Sequence, residues 1–172
     1  MAVGSVCCSL CVGEGGRGRG AAQRGRASVF EAVLQFAGRV HPMVLHLPIG
    51  LLAGLVALEV ICLVRGRALD GGVRVALAWL AALSAMVSAA SGLMLARESS
   101  YGGATVQLHQ WLGVAVAALA VVAAVCSGLP GARKAYAGAL VVTMGVLVPT
   151  GHLGAGMTHG ENFLFEPFER VN

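Results

Sequence analysis

Five histidines carry most of the chemistry this sequence can offer: His41, His46, His109, His152 and His159. A neutral imidazole binds metals through a ring nitrogen and moves protons near neutral pH. His41 and His46 stand in HPMVLHLPIG beside Pro42 and Pro48, His109 stands in LHQWLG, and His152 and His159 stand in GHLGAGMTHGENF. Each stretch opens or closes a long apolar run, where an ionisable group is costly and marks a functional site by default. Five positions separate His41 from His46, about 140° around a continuous helix, so the two share a face only if the backbone bends. A regular helix starting near Leu47 would hold Pro48 in its first turn, where the missing N–H costs nothing. Residues 41–45 are then expected as an irregular or kinked lead-in that swings both imidazoles toward one centre. Non-helical backbone at such depth is tolerated only where protein or a cavity covers it, which points to a pocket.

The elements that must position these groups follow from charge. Of the 172 residues, 57% are hydrophobic and 12% charged, and the mean hydropathy is +0.79. Soluble domains carry about 25% charged residues, so this chain cannot cover a water-exposed surface. Val40–Val64 contains only Glu59, and Val75–Ala96, Ser99–Ala132 and Ala135–Gly160 contain no charge at all. About 20 apolar residues cross a bilayer. The pattern therefore predicts an all-α integral membrane protein, a four-transmembrane-helix up-down bundle with spans near Leu47–Val64, Val75–Ala96, His109–Ser127 and Ala135–Val148. The short turns between them make neighbouring helices antiparallel. The last span is expected to break at Pro149, because the glycine-rich PTGHLGAG suits a packed loop.

Domain organisation follows. Residues 1–30 are rich in Gly and Arg and too poor in large apolar side chains to build a core, so they are expected to be disordered. Residues 40–164 form the membrane domain and 165–172 a short tail. Val29–Val40 is predicted as an amphipathic lead-in helix with Val29, Val33 and Phe36 at helical spacing. No convincing internal repeat is visible.

Other chemistries find little support. Cys8 and Cys11 form a CxxC that Val12, not histidine, follows, so covalent c-type haem attachment is absent. GEGGRGRG lacks the strand before it and the Gly-Lys-Ser/Thr closure of a phosphate loop. No HExxH occurs, and no aromatic residues interleave the basic segment, so no nucleic-acid partner is expected. Ser84, Ser88, Ser91 and Gly92 share one face of the second span. Small residues allow close helix packing, and they also leave room for a flat macrocycle. Glu59 is expected to snorkel or to pair with Arg65 or Arg74.

The up-down order places all five histidines at one end of the bundle. The opposite end carries Arg65, Arg67, Arg74, Arg133 and Lys134 in short loops. The positive-inside rule makes that end cytoplasmic and the histidine end outward-facing, in a bacterial inner membrane periplasmic. Counting the arginines of the first thirty residues would tip the balance the other way. Arg39 and Arg97, beside the histidines, are expected to mark an anionic rim.

HPMVLHLPIGLL, LHQWLG and GHLGAGMTHGENFL in this order resemble a bacterial membrane family of unknown function, number 2231 among such domains, and most closely its branch in planctomycete- and verrucomicrobial-type proteins. The resemblance covers about residues 40–164. In that branch the four-helix domain often precedes a c-type cytochrome domain, and other members are joined to Rieske-type modules. The resemblance thus implies a respiratory, electron-transfer setting. The chain departs from it in carrying no cytochrome domain, which implies that any redox partner, a c-type cytochrome or other respiratory redox protein, is a separate polypeptide, and in Ala155, which interrupts what is often a Gly-Gly pair.

Three functions are weighed against one another. The chain is expected to be a redox carrier holding haem b, with His46 and His109 as the axial pair on diagonal, parallel helices. His41, His152 and His159 then serve as supporting donors, or one of them replaces a chosen ligand. The alternative is a non-catalytic membrane anchor or assembly subunit docking a separate cytochrome. A three-histidine metalloenzyme is disfavoured, since the only carboxylates near the histidines are Glu98 and Glu161.

Overall fold

The computed structural model describes residues 29–97 and 102–160, the His159 side chain excepted. The expectations for residues 1–28 and 161–172, and for Glu98 and Glu161, lie outside the described residues. Six helices follow in order: α1 (Val29–Arg39), α2 (His41–Val44), α3 (His46–Val64), α4 (Gly71–Leu95), α5 (Ala104–Gly128) and α6 (Arg133–His159). Val29–Val64 and the last three helices give four stretches long and apolar enough to cross a membrane. The protein is a four-helix membrane bundle.

Its packing is inside-out relative to a water-soluble bundle. The buried face of α4 is Ala78, Ala81, Ala82, Ser84, Ala85, Ser88 and Ser91, and that of α5 is Val116, Ala117, Ala120, Ala123, Ala124 and Ser127. Large side chains such as Leu80, Leu83, Val87 and Val122 point outward. Lipid solvates a leucine as well as another leucine does, so helices associate where small residues let backbones approach. The buried hydroxyls of Ser84 and Ser127 are satisfied within their own helices, Ser84 donating to Ala81 O at 2.9 Å and Ser127 to Ala124 O at 2.6 Å. Helix α5 packs against both α4 and α6, whereas α3 packs on α4 and touches α6 lightly; α3 and α5 make no contact among the described residues and stand diagonally.

The first crossing carries two prolines near its start. Helix α2 begins at His41 with Pro42 in its first turn, and α3 begins at His46 with Pro48 in its first turn. Neither proline has an N–H to donate, and single-residue interruptions fall at Val40 and Leu45. The bond from Ile49 N to Leu45 O is stretched to 3.5 Å. The expected irregular lead-in is instead one helical turn, with helical backbone at Val40 and Leu45 on either side of it. At 36 residues the whole stretch is about 54 Å long, more than the hydrocarbon thickness of about 30 Å. Helix α1, with Glu31 and Arg39 at its ends, is the portion that leaves the bilayer core.

Gly38 fixes how α1 returns to the bundle. A Cβ there would lie 2.8 Å from Leu95 N and 3.0 Å from Leu95 Cα. Backbone cannot retreat as a side-chain tip can. Gly38→Ala is therefore expected to undock α1 from α4, read as faster proteolysis within Val29–Arg39 while the transmembrane fragments stay intact.

Two expectations are corrected. Helix α6 does not end at Val148 but runs through Pro149 to His159. The proline removes one ladder bond, yet Thr150 Oγ1 donates to Val146 O at 2.7 Å and Thr158 Oγ1 to Ala155 O at 3.0 Å. In apolar surroundings no water repays a broken ladder, so the helix persists through Pro and Gly that would end it in water. Glu59 pairs with neither Arg65 nor Arg74 but with Arg133 of α6, at 2.8 Å. That ion pair ties α3 to α6 across the lightly packed side of the bundle.

Candidate functional site

Two of the five histidines are held alike. His41 opens the first transmembrane hairpin, and its Nδ1 lies 2.9 Å from Ser88 O and 3.1 Å from Ser91 Oγ on α4. His109 opens the second hairpin, and its Nδ1 lies 3.0 Å from Thr150 O on α6. A carbonyl oxygen only accepts, so Nδ1 carries the proton in both rings. In a neutral ring the Nε2 lone pair is then left open. Neither Nε2 has a hydrogen-bond partner among the described residues. Both imidazoles are half-buried.

The docking surfaces match as well. Gly92 stands four residues after Ser88, and Gly154 four residues after Thr150. In a helix the side chain at i+4 leans back over the carbonyl of residue i. Glycine at i+4 uncovers that carbonyl and leaves a notch for the ring. A Cβ at position 92 would come within 2.9 Å of His41 Cε1, and one at position 154 within 3.1 Å of His109 Cε1. The room that the small face of α4 offered at Gly92 is thus filled by His41 itself. A hydroxyl residue, three intervening positions and a glycine near the end of each hairpin was the available signal. It recurs in SAASG and TGHLG.

Each hairpin therefore sends the histidine at its start onto the last turns of its own second helix, a geometric repeat that the sequence did not reveal. The two rings lie toward the same end of the bundle, one on the last turns of α4 and the other on the second half of α6.

The remaining candidates are placed differently. His46 and His152 are exposed, with no oriented hydrogen bond among the described residues, and His159 closes α6. Arg39 ends α1 and Arg97 follows α4, both exposed at the histidine end, where Gly38 approaches the Leu95 backbone. Among the described residues no three His, Cys, Asp or Glu side chains come together to hold a metal ion. Two oriented imidazoles suit an iron whose other four donors come from a macrocycle better than they suit a bare cation.

No curated protein and no solved structure matches the chain. A family match covers residues 38–162, spanning both hairpins with all four residues of the two histidine notches, and the chain belongs to that family, described as predicted membrane protein DUF2231.

Proposed function

We propose that the protein is an electron-transfer-associated membrane protein that holds haem b between His41 and His109 at the outward, periplasmic end of an inner-membrane bundle. The observation that carries this reading is the matched anchoring of the two rings through Nδ1. Ligand histidines in metal and haem sites donate their other ring N–H to a carbonyl or carboxylate, which fixes the tautomer and the ring direction. His41 takes the place in the pair that spacing alone had given to His46. The donor set fits the group: two imidazoles, no third protein ligand among the described residues, and the cations Arg39 and Arg97 at the rim to meet propionates. Bound haem supplies one-electron transfer. The residues' own part is to hold two Nε2 atoms in place, keep water from them with the α4 and α6 backbones, and offset acidic charge at the rim. A separate c-type cytochrome is the proposed redox partner.

The test is haem content. Full-length protein purified from haem-replete cells is expected to retain about one non-covalent haem per chain. Folded, monodisperse protein without haem overturns the reading.

A second reading rests on α1. Val29, Phe30, Val33 and Phe36 are 83%, 70%, 58% and 72% exposed, an apolar face on a helix that leaves the bilayer core. This face suits a membrane-anchored subunit that docks a partner without carrying a cofactor. Capture of a c-type cytochrome by colourless protein favours it.

Orientation is testable separately. Fusions at Gly72 and Gly131 are expected to silence a reporter active only in the periplasm, and one at Gly102 to leave it active. The opposite pattern overturns the assignment of the basic loops to the cytoplasm.

A further inference from the structure

The opposite end of the bundle holds a cleft in which the histidines play no part. Arg74 of α4, the last residues of α5, the turn at Gly131, and Arg133 and Tyr136 of α6 enclose about 240 Å³. Ligand sites for drug-sized molecules run to roughly 300–1,000 Å³, so this space suits a small group or one end of a larger molecule.

Its walls are rich in positive charge and donors. The Arg74 guanidinium lies 5.7 Å from the centre of the Tyr136 ring and donates to Ser127 O at 3.3 Å. Arg133 donates to Glu59. Tyr136 is 2% exposed, and its hydroxyl and the neighbouring Glu59 Oε1 are both buried with no hydrogen-bond partner among the described residues. Buried hydroxyls are rarely left so. Helix α6 starts at Ala132 with no side-chain cap and no acid in its first turn, and its first two residues are Arg133 and Lys134. Cations at the positive end of a helix dipole reverse the favourable order, and the first N–H groups have no capping acceptor. Glu59 turns Oε2 to Arg133 and leaves Oε1 open beside Tyr136; the other side chains gathered here offer positive charge or an O–H, which an anion complements.

We propose that this cleft binds a phosphate group, carried by an anionic phospholipid headgroup or free in solution. The cleft opens at the level of the basic loops, where headgroups of one leaflet lie, and basic pockets between transmembrane helices receive lipid phosphates. Arg74 and Arg133 hold the phosphate oxygens, the first turn of α6 adds N–H donors, and the Tyr136 O–H gains an acceptor. This site stands independently of haem at the other end.

The test uses thermal unfolding of the full chain in neutral detergent. Its arms are added phosphatidylglycerol, phosphatidylcholine, or inorganic phosphate against chloride at equal ionic strength. Phosphatidylglycerol is expected to raise the midpoint by several degrees and phosphatidylcholine not to. A rise with inorganic phosphate as well identifies the free anion as a ligand; a rise with the lipid alone identifies the headgroup. Arg74→Gln is expected to weaken the apparent affinity about tenfold. Tyr136→Phe, which removes only the O–H, weakens it several-fold and carries the test should Arg74→Gln not fold. Arg65→Gln, a basic residue at the same end outside the cleft, retains the response. No rise with either phosphate source overturns the proposal. So does a wild-type response in Tyr136→Phe, or an equal loss in Arg65→Gln, which reduces the effect to general surface charge.

Discussion

Alanine in place of His109 is expected to lower the haem content of the purified full chain about tenfold or more, and alanine in place of His41 to do the same. His46→Ala and His152→Ala are expected to leave it near wild type. The contrast rests on orientation. His41 and His109 each bond a helix carbonyl through Nδ1, at 2.9 Å and 3.0 Å, so both rings are held with Nδ1 protonated and Nε2 unprotonated before any iron arrives. An exposed, unanchored imidazole such as His46 must first give up its rotamer freedom to bind. The measurement is haem per chain, with size-exclusion behaviour as the check on folding. Loss in His46→Ala together with retention in His41→Ala would restore the pair suggested by helix spacing alone.

Glycine substitutions are expected to fall into two groups of opposite sign. Valine at Gly92 or Gly154 places its Cβ 2.9 Å or 3.1 Å from the nearest histidine ring atom, and its two further methyls cover the carbonyl that the ring uses. The ring is expelled, its hydrogen bond is lost, and overpacking of this kind costs about 1–3 kcal/mol. Alanine at Gly113 or Gly138 meets nothing within 4 Å. Both lie inside helices, where replacing Gly by Ala gains roughly 0.5–1 kcal/mol. Denaturation in mixed micelles should therefore destabilise the first pair and stabilise the second, and haem content should fall only in the first. A uniform response of all four would mean that the notches at Gly92 and Gly154 do not seat the imidazoles.

The fold was legible because lipid removes choices. Long gaps in charge mark the crossings, and the loops between them leave little alternative to antiparallel neighbours, so four spans and their order follow from composition. The ends of the spans were less legible. Pro149 and the glycines after it read as a helix stop by rules that assume water will satisfy freed carbonyls. Helix α6 nevertheless continues through Pro149 to His159, losing only the one N–H that the proline lacks. Glu59 was assigned to arginines near it in sequence and height, whereas Arg133 reaches it from α6. That choice depends on which helices are neighbours, a fact outside any one segment.

At the histidine site, sequence placed all the candidates at one end and chose His46 over His41 as the partner of His109. His41 and His46 are equivalent on spacing. What separates them is the carbonyl of Ser88 and the missing side chain of Gly92, on a helix some fifty residues away. The SAASG and TGHLG segments carried the signal, hidden because small residues in a membrane helix serve packing as often as a site.

The most direct measurement is the absorption spectrum of full-length protein, purified in detergent from haem-replete cells, before and after chemical reduction. A redox-active, low-spin, six-coordinate b-type spectrum, absent from the His41→Ala/His109→Ala double variant, is the predicted result. A colourless wild-type protein that is folded and monodisperse, or a haem spectrum unchanged in the double variant, would contradict it.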